Sequence, residues 1–209
     1  MGGGISIHNG LLAQLGMNVY VVDLLGEYWE RRTWVGTSID QEVRALEASG
    51  VKFIQEEVAA CDLTTHFADN SVDAVTSFPC LEHLHQSPKR VLESAMRVLK
   101  PGGILLIEVP NAANVRKRLA LLFGRSNYLP YGMYYHSSDY RGHVREYVAD
   151  DLRQLAQNLG ATSYRIFGHN GYAGKWAEAI PSQVRQSLDA VLRVSPGLCG
   201  ALLLQLTKS

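Results

Sequence analysis

Several short stretches of the sequence hold residue types that do chemistry. Gly2, Gly3 and Gly4 open the chain, Ser6 follows them, and Asp23 closes the next apolar run. Glycines let a ligand approach the main chain closely, and a helix N-terminus behind them presents free N–H groups and a positive dipole end. An acid on the following strand can accept hydrogen bonds from both hydroxyls of a ribose. Together these suit a nucleotide-type cofactor. Asp62, Ser77 and Asn111 close later apolar runs in the same way. His83 and His143 are the candidate general bases. The alternative for His83 is to cap the next helix or to bond Glu82. The alternative for His143 is a structural hydrogen bond beside Arg145, Glu146 and Tyr147. The Glu82-His83-His85 cluster matches no strong metal-ligand spacing, so no metal is expected. His85, His136 and His169 are read as surface or loop residues.

These residues need elements to hold them. Ser6 to Leu15 has apolar residues at Ile7, Leu11, Leu12 and Leu15, which is helical spacing, and Gly16 is a left-handed stop. Val19 to Val22 reads as a buried strand with Asp23 at its end. Leu24 to Gly36 carries Tyr28, Trp29, Arg31, Arg32 and Trp34, and reads as a short helix or a loop over the cofactor edge. Ser38 with Gln41 makes a capping box for a helix running to about Ser49, closed by Gly50. Val51 to Ile54 is the next strand. Asp69-Asn70-Ser71 is a turn, and Val72 to Ser77 a short buried strand. Ser87-Pro88 predicts a helix with proline at its first position, and Lys100-Pro101-Gly102-Gly103 a turn that stops it. Ile104 to Val109 is a strand ended by Pro110-Asn111. Strands and helices alternate, which predicts a parallel sheet with helices on both faces and a ligand beyond the carboxyl ends of the strands. Asp23, Asp62, Ser77 and Asn111 all fall at such ends.

The second half is less regular. Val115 to Phe123 reads as a basic amphipathic helix with Arg116, Lys117 and Arg118, either a solvated face or a phosphate contact. Arg125 to Tyr147 breaks the pattern and holds six of the ten tyrosines. A segment this long without regular structure is usually functional, here as an acceptor-side loop or a packed lid. Asp150 to Leu159 is a helix capped by Gly160, Thr162 to Phe167 a strand, Gly168 to Gly174 a loop, and Ser182 to Arg193 a helix. Gly200 to Leu206 is a last apolar strand suited to a sheet interior.

Length and composition set the outer bounds. The 209 residues suit one domain spanning 1–209, and 46% hydrophobic content is ordinary for a globular chain. Net charge is zero, so no nucleic-acid partner is expected. No apolar run approaches membrane-spanning length, and no secretory signal pattern opens the chain. Cys61, Cys80 and Cys199 form no CxxC pair, which predicts a reducing, cytoplasmic setting.

With these residues in hand, the chain resembles the class I S-adenosylmethionine-dependent methyltransferases over nearly its whole length. The most specific pieces are Asn70-Ser-Val-Asp-Ala-Val-Thr-Ser77, Leu81-Glu-His-Leu84 and Arg97-Val-Leu-Lys-Pro-Gly-Gly103. Val109-Pro-Asn111 and Gly142-His-Val-Arg-Glu-Tyr147 resemble a subgroup acting on sugar, polysaccharide or lipid-linked substrates. The resemblance implies a doubly wound Rossmann-like α/β sheet, mostly parallel with an antiparallel last strand, and S-adenosyl-L-methionine as cofactor. Gly2, Gly4 and Ser6 match the glycine loop under the methionine part of that cofactor. Asp23 matches the ribose-binding acid, Asp62 with Leu63 the adenine end, and Ser77 with Phe78 the strand end lining the pocket. The family's first strand and its terminal acid would fall before Met1. Either the start codon was set too far downstream or the protein lacks a central strand.

The expected reaction is methyl transfer to a small-molecule, sugar or lipid-linked acceptor, at oxygen, by an in-line displacement that needs no metal. A non-catalytic relic of the fold is the alternative. A nicotinamide-dependent oxidoreductase fits less well, because the glycine spacing of its fingerprint is missing.

Overall fold

The computed structural model describes residues 1–25, 38–126, 128, 130–137, 142–170 and 181–209. Tyr28, Trp29, Arg31, Arg32, Trp34, Asn127, Tyr140 and the later part of the Gly168–Gly174 loop lie outside the described residues.

Local signals set most boundaries. Helix α1 (Ile7–Gln14) begins at Ser6, whose Oγ accepts the N–H of His8, and the chain leaves it through Gly16 at φ +88°. Helix α2 (Ile39–Ala48) starts with the complete capping box of Ser38 and Gln41, and Gly50 follows at φ +96°. Between and after them run strands β1 (Tyr20–Val22) and β2 (Lys52–Ile54), paired in parallel. Strand β3 (Val72–Ser77), helix α3 (Lys89–Val98) and strand β4 (Leu99–Pro110) form the next unit. Pro88 stands just outside α3 rather than at its first position, and Ser87 Oγ accepts the N–H of Lys89 at 3.3 Å.

The expected turn at Lys100–Gly103 is instead an irregular opening of β4. Val72 pairs with Leu99 while Ala74 already pairs with Ile104, so β4 bulges between the two registers. Gly102 takes φ +77° there, and its N–H donates to the Lys208 carbonyl while the Lys208 N–H donates to Gly103. These bonds keep the segment tied to the sheet.

Helix α4 (Val115–Leu122), the short helix α5 (Tyr131–Tyr135), helix α6 (Ala149–Asn158), strand β5 (Ser163–His169), helix α7 (Ser182–Arg193) and strand β6 (Ala201–Thr207) complete the chain. The second sheet has the order β3-β4-β6-β5. β6 is antiparallel to both neighbours, so β3, β4 and β5 share one direction and the last strand runs against them. This is the mostly parallel α/β sheet with a reversed last strand that the sequence predicts.

The core follows the strand period. β4 and β6 bury every second residue, with Leu105, Ile107, Leu202, Leu204 and Leu206 fully enclosed. Helix α3 covers one face with Val91, Leu92, Ala95 and Val98. A smaller core of Val21, Leu46 and Val51 sits under β1 and β2. Helix α1 contributes little, since Ile7, Leu11 and Leu15 are exposed and only Gly10 is buried.

The described strands form two sheets rather than one. Met1 and Gly2 lie in the seam: the Met1 nitrogen donates to Thr76 O at 2.6 Å and the Gly2 N–H to Val22 O at 2.8 Å. They therefore touch β3 and β1 together.

Candidate active site

The structure brings the glycine turn and Asp23 together. Gly4 N–H donates to Asp23 Oδ2 at 2.9 Å, and Leu25 N–H to Asp23 Oδ1 at 3.0 Å. Each carboxylate oxygen keeps acceptor capacity beyond these bonds, which a vicinal diol needs. Gly2 and Gly4 adopt φ +61° and +47°. A Cβ on Gly2 would fall 2.2 Å from Cys80 Sγ, so the chain passes there only without a side chain. Ser6 caps α1 and leaves its hydroxyl 3.1 Å from His8 Nδ1.

The remaining cofactor-side candidates are more scattered. Ser77 is fully buried at the end of β3, and its hydroxyl meets no hydrogen-bond acceptor or donor at ordinary distance, with the Cys80 thiol beside it. Phe78, next to it, is 40% exposed. Asp62 caps the 3-10 turn Leu63–Thr65 and accepts both the N–H and the hydroxyl of Thr64, at 3.1 and 2.6 Å. These bonds hold its carboxyl below the ordinary value. Asp62 lines an open depression of about 520 Å³ with Arg90 and Arg97, which neither Gly4 nor Asp23 reaches. Leu63 turns its side chain into the core, while its N–H bonds Ser94 Oγ.

His83 and His143, sixty positions apart, meet directly. Their ring centroids are 5.0 Å apart and nearly perpendicular. The contact is built by main chain: the N–H groups of Val144 and Arg145 both donate to the Glu82 carbonyl, at 2.7 and 3.3 Å. His143 Nδ1 lies 2.9 Å from Glu146 Oε1, and Lys117 of α4 pairs with the other oxygen of Glu146. Burial alone would raise the Glu146 carboxyl, but these two partners outweigh it and hold it below its ordinary value. Lys117 of the basic helix is thus a structural partner of the loop. Asn111 and Tyr147 bridge the same loop to the end of β4, and the Asn111 amide is spent on the Gly197 and Cys199 carbonyls.

Sequence reasoning missed the depth of Glu82 and the role of Glu146. Glu82 has no exposed surface, and neither carboxylate oxygen has a hydrogen-bond partner. His143, and not the exposed His85, stands beside Glu82 and His83. Only the docking of residues 142–147 on the turn Leu81–His83 brings the three together. His169 is in β5 rather than a loop, bonded to Glu108 at 3.0 Å.

The order of strands, with β6 antiparallel between β4 and β5, is that of a class I methyltransferase fold. The family described as methyltransferase domain matches residues 1–107, and the chain belongs to it; the cofactor of such proteins is S-adenosylmethionine. A curated relative from Mycolicibacterium smegmatis, named "Probable S-adenosylmethionine-dependent methyltransferase", is 34% identical over 93 residues. That match covers 44% of this chain and 29% of the relative, so the chain spans well under half of that protein. Among solved structures, an S-adenosylmethionine-dependent methyltransferase of Thermotoga maritima aligns with 99% of this chain and 79% of its own, at 13% identity and a TM-score of 0.56. A phosphoethanolamine N-methyltransferase of Haemonchus contortus, in complex with S-adenosylhomocysteine, aligns over 99% of this chain and 48% of its own, with 15% identity and a TM-score of 0.53. At these identities the two structures speak for the fold. Among the described residues no helix is long and apolar enough to cross a membrane.

Proposed function

We propose that the chain is an S-adenosylmethionine-dependent methyltransferase acting on a small-molecule or glycan-type acceptor, at a hydroxyl oxygen. The observation that carries this reading is the Asp23 carboxylate, held by Gly4 and Leu25 N–H groups at the end of β1, inside the stretch that matches the family. The cofactor supplies a methyl group on a positively charged sulfur. Asp23 binds its ribose hydroxyls, the Gly2–Gly4 main chain accommodates the amino-acid part, and the buried Ser77 hydroxyl and Phe78 border the same strand end. Asp62 and Leu63 serve the adenine end in this reading. His83 and His143 meet the acceptor, with Glu146 fixing the His143 ring. The loop around 125–147 chooses the acceptor, and its exposed Tyr128, Tyr131, Tyr134 and Tyr135 suit stacking on a sugar or an aromatic ring.

Calorimetric titration of the full chain with S-adenosylmethionine tests this. Micromolar binding is expected, weakened by at least about tenfold in Asp23→Ala, as loss of a charged hydrogen bond predicts. No binding by folded protein, or equal binding by the variant, would sink the reading. Tighter binding of NADH in the same titration would favour the oxidoreductase instead.

A further inference from the structure

We infer that Glu82, His83 and His143 form a binding site for one divalent first-row transition ion, of the zinc, manganese or iron type. A carboxylate oxygen of Glu82 and one ring nitrogen from each histidine lie within 4.8 Å of one another. Two imidazoles and a carboxylate are a recurrent ligand set for such ions, and they leave further coordination positions open.

Three features argue that the cluster is built for an ion. First, Glu82 is fully buried with both oxygens lacking a hydrogen-bond partner. A buried carboxylate is costly unless something of opposite charge meets it, and an ion satisfies both oxygens at once. Second, each histidine has a polar partner at Nδ1. His143 Nδ1 faces Glu146 at 2.9 Å, and His83 Nδ1 faces the Gly142 carbonyl at 3.4 Å. Carboxylate and carbonyl partners of this kind orient the ring of a metal-ligating histidine. His83 Nε2 lies on the Glu82 side, 3.9 Å from Oε1. Third, the His83 side chain is 43% exposed, which gives an ion a way in.

Ligands around a tetrahedral ion sit roughly 3.3 Å apart, from metal–ligand distances of about 2.0–2.1 Å. Closing the cluster from its present spacing takes side-chain shifts of about 1 Å. The second cluster of ligand types, Glu56, Cys61 and His66, is a poorer candidate. His66 Nε2 is already spent on Glu56 at 2.9 Å, and the buried Cys61 thiol, pushed up to about 12, keeps its proton.

An ion in this place would touch an acceptor hydroxyl and lower its pKa, so that its proton passes to water at neutral pH. That consequence rests on the transfer reading above; the ion site does not.

The test uses the metal alone. The full chain, stripped with a chelator, is titrated with Co²⁺ while visible absorption is read, and with Zn²⁺ by calorimetry. The expected result is one ion per chain with ligand-field bands. Affinity should fall by at least about tenfold in Glu82→Gln and in His143→Ala, and about tenfold in Glu146→Gln, which removes only the orienting carboxylate. Cys61→Ser/His66→Ala should bind as the parent does. Far-UV circular dichroism confirms that each variant is folded, and His83→Ala stands in for Glu82→Gln should that one fail to fold. No saturable binding, or binding that survives in Glu82→Gln, His83→Ala and His143→Ala, would overturn the site. Failure to bind S-adenosylmethionine would sink the proposed function and leave the ion result standing.

Discussion

Asp62 shows how far one neighbour tunes a side chain. Its carboxyl is held below the ordinary value first by the Thr64 hydroxyl, then by the Thr64 N–H, with Arg90 and Arg97 adding a smaller pull. A depressed acid contributes stability that is fully present above its ordinary pKa and is lost as pH falls through the folded-state value. Thr64→Val removes the hydroxyl and keeps the N–H. The expected outcome is a rise of the Asp62 midpoint toward the ordinary aspartate value of about 3.9, read by carboxyl-carbon NMR titration. An unchanged midpoint would mean that the N–H alone holds the carboxylate. The sequence suggests a strand-end acid at Asp62, but β2 stops at Ile54 and Asp62 instead caps the turn Leu63–Thr65 eight residues later, with a partner that the sequence reading does not single out. The Asp-x-Thr spacing of a self-capped turn was there to be read. The Glu82 cluster could not be found that way, because nothing local to Glu82 says that Val144 and Arg145 will close over it.

Among the elements, those with local stop and start signals were the readable ones. Ser38 with Gln41, Gly16, Gly50 and Gly160 mark ends that depend on a few adjacent residues, and the structure has them all. β4 was misread at its start because its bulge is fixed by Lys208, a hundred residues away. Besides the two main-chain bonds, Lys208 Nζ donates to the Arg97 and Leu99 carbonyls at 2.8 and 2.7 Å. β5 was read two residues short because Gly168 resembles a loop residue. It is glycine for a packing reason: an added Cβ would fall 2.6 Å from Cys199 Sγ and 2.7 Å from Pro196 Cα. Gly168→Ala should therefore destabilise the fold by about 1–3 kcal/mol, as overpacking does. Urea denaturation measures it, and a variant as stable as the parent would show that the turn Pro196–Leu198 yields freely.

At the scale of the whole molecule, two cores of unequal size meet at β1, whose Val22 joins the larger together with Met1 while Val21 joins the smaller. The larger holds β3 to β6 with α3 and α6, and the smaller rests on Val21, Leu46 and Val51. Local opening free energies follow the apolar contact that must be broken. Amides of β4 and β6 should exchange only through global unfolding, and those of β1 and β2 through a smaller opening at lower free energy. Hydrogen exchange in rising denaturant distinguishes the two, and a single free energy for all six strands would contradict the division. The order of strands also bears on how the protein is made. β6 lies between β4 and β5 yet is synthesised after both, so a ribosome delivers the two flanking strands before the one that joins them. Until residues 201–207 emerge, β4 has one unpaired edge and Leu105, Ile107 and Val109 lack the cover of the finished sheet. The nascent chain therefore passes through a stage in which it presents a sticky edge and waits, the kind of species that chaperones hold.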